Sequence, residues 1–173
     1  MAEDDRIQRL AKQMGSEVKK DQRYLLTDDE IRRLRREGAA RLHSICVDFA
    51  ASVNRLLSPP VLDLTPSEFA PELFRDSGPN LIQFNANGRI IQIVFEATRE
   101  KFSAEKFLIP YILEGEVRAY NQEMLQRTQV RSQALFYCLE QDGRNVWHYY
   151  EWLSGRTGVF GREQLVALFE KVV

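Results

Sequence analysis

The sequence has little of almost everything that marks a specific chemistry. It carries two cysteines, Cys46 and Cys138, and two histidines, His43 and His148. Both pairs are far apart, so neither a C-x-x-C nor an H-E-x-x-H spacing exists, and neither pair makes a metal centre. No G-x-S-x-G elbow and no dinucleotide fingerprint is present, and no cofactor is expected. Charge of one sign is not in excess. Lys and Arg number 24 against 25 Asp and Glu, a net charge of −1, so no global field favours nucleic acid or an anionic membrane. No apolar run approaches the ~20 residues of a membrane span, and the acidic opening, Glu3, Asp4, Asp5, lacks the apolar segment of a secretory leader. Each cysteine sits in an apolar pattern, which predicts buried free thiols and suits a reducing cytosol.

What is present is architecture. With 173 residues, 44% hydrophobic and 28% charged, the chain is long enough for one domain with a sizeable core. The pattern divides it into a short amphipathic segment over 1–26 (Ile7, Leu10, Met14, Val18) and a single α+β domain over 27–173. Thr27-Asp28-Asp29-Glu30 is a capping box with acidic residues on the positive end of the helix dipole. From Ile31 the apolar or small residues Leu34, Gly38, Leu42, Ile45, Phe49, Val53 and Leu56 recur every three or four positions. Ser58-Pro59-Pro60 ends the run, which predicts a helix of about 28 residues and on the order of 40 Å. Such a helix overhangs a strand of ~20 Å. The overhang is expected to be covered by the N-terminal segment or by a second copy of the chain, with Gly38-Ala39-Ala40 as a close-approach point. Otherwise Gly38 merely weakens or kinks the helix.

Over 80–152 the period changes to two. An Asn87-Gly88 turn of type I′ sets Ile82 against Ile93 and Phe84 against Ile91, which places Ile82, Phe84, Ile91, Ile93 and Phe95 on one core face. The segment 103–108 reads as a short helix or turn closed by Pro110, and 112–120 as a strand with a charged outer face, with helix as the rival. An Asp142-Gly143 two-residue turn predicts Leu139 opposite Val146, Tyr137 opposite His148, and Phe136 opposite Tyr149. Both faces of this second hairpin are then aromatic, so it should be sandwiched. A closing helix over 163–172 turns Leu165, Leu168, Phe169 and Val172 inward.

The fold class is therefore α+β, a long N-terminal and a short C-terminal helix on a five-stranded antiparallel sheet. The order of elements over about 27–172 resembles the profilin-like and roadblock-type arrangement, seen with variations in GAF sensor domains. The resemblance is one of element order, with no shared motif, and implies a strand order 2-1-5-4-3.

Three functional readings follow. The first is a non-catalytic, homodimeric binding module that holds a protein or an apolar ligand on an aromatic sheet face including Phe136, Trp147, Tyr149 and His148. The second is a small-molecule sensor or enzyme with a site near His148 and the glycine-rich loop, where Arg156 and Arg162 would clamp an anion. That loop lacks the Lys-Ser/Thr of a P-loop, so a plain turn is the simpler account. The third is a phosphate- or nucleic-acid-binding face made by Arg32, Arg33, Arg35 and Arg36. Nucleic acid is disfavoured, because the i,i+4 pairs Asp28–Arg32 and Asp29–Arg33 neutralise the cluster and no aromatics interleave it.

Overall fold

The computed structural model describes residues 2–173. Among these, four α-helices, α1 (Ala2–Lys20), α2 (Asp28–Asn54), α3 (Gln122–Gln126) and α4 (Arg162–Glu170), accompany seven strands. The strands are β1 (Asp63–Thr65), β2 (Asn80–Ala86), β3 (Arg89–Ala97), β4 (Tyr111–Tyr120), β5 (Arg131–Leu139), β6 (Asn145–Tyr150) and β7 (Thr157–Val159). No described helix is long and apolar enough to cross a membrane.

The capping box forms as the sequence predicts. Thr27 Oγ1 accepts from the Glu30 N–H at 3.2 Å, and Glu30 accepts from the Thr27 N–H at 2.7 Å. The helix it opens runs 27 residues and stops before the prolines, at Asn54. There the side chain of Asn54 accepts from the N–H groups of Val61 and Leu62 and donates to the Leu62 carbonyl, so one amide closes the turn after α2. The inner face of α2 buries Ile31, Ala39, Leu42, Cys46 and Phe49 against the sheet. Truncating a fully buried side chain such as Leu42 to alanine costs about 2–5 kcal/mol. Gly38 lies within the continuous α2 and faces the sheet. Its carbonyl accepts from the Trp147 indole N–H at 2.8 Å, and the Tyr137 ring fills the space beside it.

All seven strands form one antiparallel sheet in chain order, β1-β2-β3-β4-β5-β6-β7. Two expectations are corrected here. The sheet has seven strands rather than five, because the three-residue β1 and β7 extend its edges. The order is a sequential meander rather than 2-1-5-4-3, so the strand ending the aromatic hairpin, β6, lies next to one edge. β1 and β7 carry too few residues to show a period, which is why the pattern does not announce them. Short edge strands also limit pairing with other chains.

The first hairpin has the expected register, Ala86 with Arg89, Phe84 with Ile91 and Ile82 with Ile93. Both turn residues take positive φ, 51° at Asn87 and 85° at Gly88, as a type I′ turn requires. The 112–120 strand is present as β4. The second hairpin differs from expectation by one residue. Leu139 pairs with Asn145, Cys138 with Val146, Tyr137 with Trp147, Phe136 with His148 and Leu135 with Tyr149. Of the two residues assigned to its turn, only Gly143 takes positive φ, 81°. The Gly143 N–H bonds the Glu140 carbonyl, and the Glu140 N–H bonds the Arg144 carbonyl. That is a three-residue loop with a glycine bulge, one residue longer than the two-residue turn. A one-residue slip moves a whole set of side chains to the opposite face.

The segment 99–110 is not a helix but an irregular cover. Ser103 pairs with Tyr111 in an isolated bridge, and the chain then folds over the face of the sheet away from the helices. Phe107 stacks on Phe136 there, with centroids 5.0 Å apart and ring planes 15° from parallel. Phe107 and Ile109 pack on a second core of Tyr111, Phe136 and Cys138. The hairpin is therefore sandwiched, as expected, between α2 on one side and 99–110 on the other.

Candidate functional site

The corrected register divides the aromatic residues. Trp147 and Tyr149 point with Leu135 and Tyr137 toward the helices. Trp147 is fully buried between Tyr137 and Phe95, at ring separations of 5.2 and 5.6 Å, and Tyr149 packs against the same core. Phe136 and His148 lie on the outer face beneath Phe107. The four residues expected to share a partner face thus stand on two faces, and Trp147 serves the interior.

His148 is not opposite Tyr137. Its Nε2 meets the Glu140 carboxylate at 2.9 Å, and its ring lies 5.5 Å from Phe107. Cys138 is on the same face of the sheet, which puts a thiol, an imidazole and a carboxylate in one neighbourhood. The thiol is inert there. It is fully buried, its sulfur donates to the Phe136 carbonyl at 3.7 Å, and burial and the nearby Glu140 charge push its pKa up. Burial likewise lifts Cys46 to about 12. His43 is buried and holds the Pro66 carbonyl at 2.7 Å through Nε2. Among the described residues, no group of three or more His, Cys, Asp or Glu could hold a metal ion.

The arginines of α2 have separate tasks. Arg32 pairs with Asp29 at 3.2 Å, Arg33 with Glu37 at 2.7 Å and Arg36 with Asp76 at 3.2 Å. Arg35 turns inward. It donates to the carbonyls of Ile112, Thr98, Glu100 and Lys101 and to the Thr98 hydroxyl, which clamps the start of the 99–110 cover onto α2. Burial lowers its pKa, the mark of a guanidinium drawn out of water. The cluster is therefore no unpaired basic face. Arg156 and Arg162 are exposed near the two ends of β7, which occupies the glycine-rich loop. Gly161 before α4 offers no side-chain cap.

The outer face carries a hollow of about 650 Å³ beside the Phe107 cover. Its floor is Gly115, Ala134 and Phe136, and Lys106 and Trp152 stand at its wall. The Trp152 indole is 60% exposed and meets Tyr150 edge-on at 4.7 Å. Three carboxylates on adjacent strands complete it. Glu96 and Glu114 are direct cross-strand partners, an arrangement that like charges disfavour. Glu114 has Lys106 at 3.4 Å. Burial alone would raise the Glu116 carboxyl, but hydrogen bonds from Ser132 and Arg118 outweigh it and hold the pKa below the usual carboxylate range.

No family model, curated protein or solved structure matches the chain.

Of the face expected from the sequence, Phe136 alone lines this hollow. The charged outer face of β4 was visible in the alternation of Glu114, Glu116 and Arg118. Trp152 was visible only as one more aromatic, because its exposure depends on the chain leaving the sheet after Tyr150. Glu96 opposite Glu114 is a register fact, fixed by the pairing of β3 with β4.

Proposed function

We propose that this chain is a non-catalytic binding module of the cytosol that works as a homodimer. Its partner is a polypeptide carrying basic and apolar side chains, held in the hollow beside Trp152. The observation that carries the reading is the cross-strand pair Glu96–Glu114, in which Lys106 meets only Glu114, next to an exposed indole. A lysine or arginine placed between the carboxylates would relieve their repulsion and lie within reach of the Trp152 ring face, an arrangement worth about 0.5–2 kcal/mol from the cation–π contact alone. Apolar neighbours would meet Phe136 and Ala134 on the floor. The non-catalytic part rests on the engaged His148, the deeply buried thiols and the paired arginines.

The test is a fluorescence titration with short peptides that alternate Lys or Arg with Leu, against Asp/Leu peptides of equal length. Trp147 is buried, so an emission shift reports Trp152. The expected result is a saturable blue shift with the basic peptides only, weaker in high salt and absent in a Glu96→Lys/Glu114→Lys chain. Equal responses to both peptide sets, or none to either, would overturn the proposal.

A further inference from the structure

Two apolar surfaces of this chain lack a counterpart among the described residues. One is the stripe on α1. Ile7, Leu10, Met14 and Val18 recur at helical spacing and are each 46–59% exposed. An amphipathic helix draws most of its stability from packing that stripe against something. The other is a groove of about 410 Å³ at the far end of the domain, between the C-terminal part of α2 and α4. Phe49, Val53, Leu57 and Phe169 line it, and Leu56 beside it is almost wholly exposed.

The helix cannot reach its own groove. Its base is fixed, because Arg23 donates to the Leu139 carbonyl at 2.9 Å while forked onto the Asp21 carboxylate. The 19 residues of α1 span about 28 Å, whereas Phe49 lies about 32 Å along α2 from its start. Folded back along α2, the stripe would end short of Phe49 and lie on the exposed Arg33, Glu37 and Arg41. A second copy has no such limit. Charge also matches. The first turn of α1 carries Glu3, Asp4 and Asp5, while Arg89 lines the groove, Arg55 follows α2 beside it, and no acidic side chain lines it.

We propose that the groove at the C-terminal end of α2 receives α1 of a second copy of this chain, in a reciprocal two-fold exchange. Each copy contributes one helix and one groove, so the assembly closes at two. The exchange rests on the dimeric part of the reading above and assigns its interface.

The experiment mixes a Leu10→Cys chain with a Leu57→Cys chain and treats them with a bis-maleimide, the native thiols being buried. The expected product is an inter-chain 10–57 cross-link in a particle of dimer mass. Leu10→Asp and Leu57→Asp, both at exposed positions that leave the core intact, should each raise the dimer dissociation constant at least tenfold with unchanged circular dichroism. Asp4→Lys/Asp5→Lys should weaken the dimer, and adding Arg89→Glu should restore part of the loss. A monomer at all concentrations overturns both the exchange and the dimeric reading. A dimer that cross-links only 10 to 10, or that survives Leu57→Asp, overturns the exchange and leaves the dimer standing. A 10–57 link within one monomeric double-cysteine chain overturns it as well.

Discussion

Gly38→Ala is the substitution on which helix propensity and tertiary packing disagree most sharply. In an exposed helix interior, alanine stabilises over glycine by about 1 kcal/mol. At position 38 the new methyl would lie 2.5 Å from Tyr137 Cδ1 and 3.0 Å from its Cγ. The ring cannot swing away, because Tyr137 is fully buried with Trp147 packed on it at 5.2 Å. Overpacking of this kind costs about 1–3 kcal/mol. If α2 lifts to relieve it, the buried bond from Trp147 to the Gly38 carbonyl lengthens, at a cost of ~1–3 kcal/mol for the stranded indole N–H. Set against the propensity gain, the net is a destabilisation of about 2 kcal/mol, a fall of ~4–8 °C in melting temperature for a domain of this size. Urea unfolding followed by tryptophan emission measures it, and Gly15→Ala supplies the contrast. Gly15 lies mid-way along α1 with nothing near its missing methyl, so alanine there should raise helicity and not lower the melting temperature. A Gly38→Ala protein as stable as the parent would refute the account of α2 docked on Tyr137.

Two further outcomes follow from burial. With the Cys46 pKa raised to about 12 and Cys138 also raised, neither native thiol should react with a disulfide reagent at pH 8, and both should react on unfolding. The linkage has a defined sign: thiols of the unfolded chain ionise near 9.0, so their contribution to stability is complete below that pH and is lost as pH rises toward 12, by up to ~2.7 kcal/mol per unit for two groups. A flat stability profile between pH 9 and 11 would contradict it. Arg35→Ala should destabilise by about 2–3 kcal/mol through loss of the clamp on 99–110 and should expose that segment to proteolysis, whereas Arg32→Ala should do neither.

The parts of this fold legible in the sequence are those set by local chemistry. The Thr27–Glu30 box, the inner stripe of α2, the Asn87-Gly88 turn and the inward face of 163–172 each depend on residues a few positions apart. The rest depends on a choice that local chemistry leaves open. Asp-Gly serves a two-residue turn or a glycine bulge equally well, and that one residue decides whether Trp147 or His148 faces α2. The irregular cover over 99–110 has no period, and its ordering comes from partners far along the chain, Arg35 and Phe136. The candidate site inherits this limit. Its carboxylates are plain in β4, but their juxtaposition with Glu96 and Trp152 exists only once strands are paired.

The strictly sequential meander has a consequence for how the chain is made. Every strand pairs with the one synthesised just before it, so the sheet can grow from the ribosome by short loop closures, the fast part of folding. The helix that must cover it emerges first. The Gly38 carbonyl waits 109 residues for the Trp147 indole, and at ~5–20 residues per second that is an interval of roughly 5–20 s. For those seconds the nascent chain presents the inner stripe of α2 to a sheet that is still incomplete. The vulnerable species of this protein is thus its unfinished form, and the hazard ends only when β6 has left the exit tunnel.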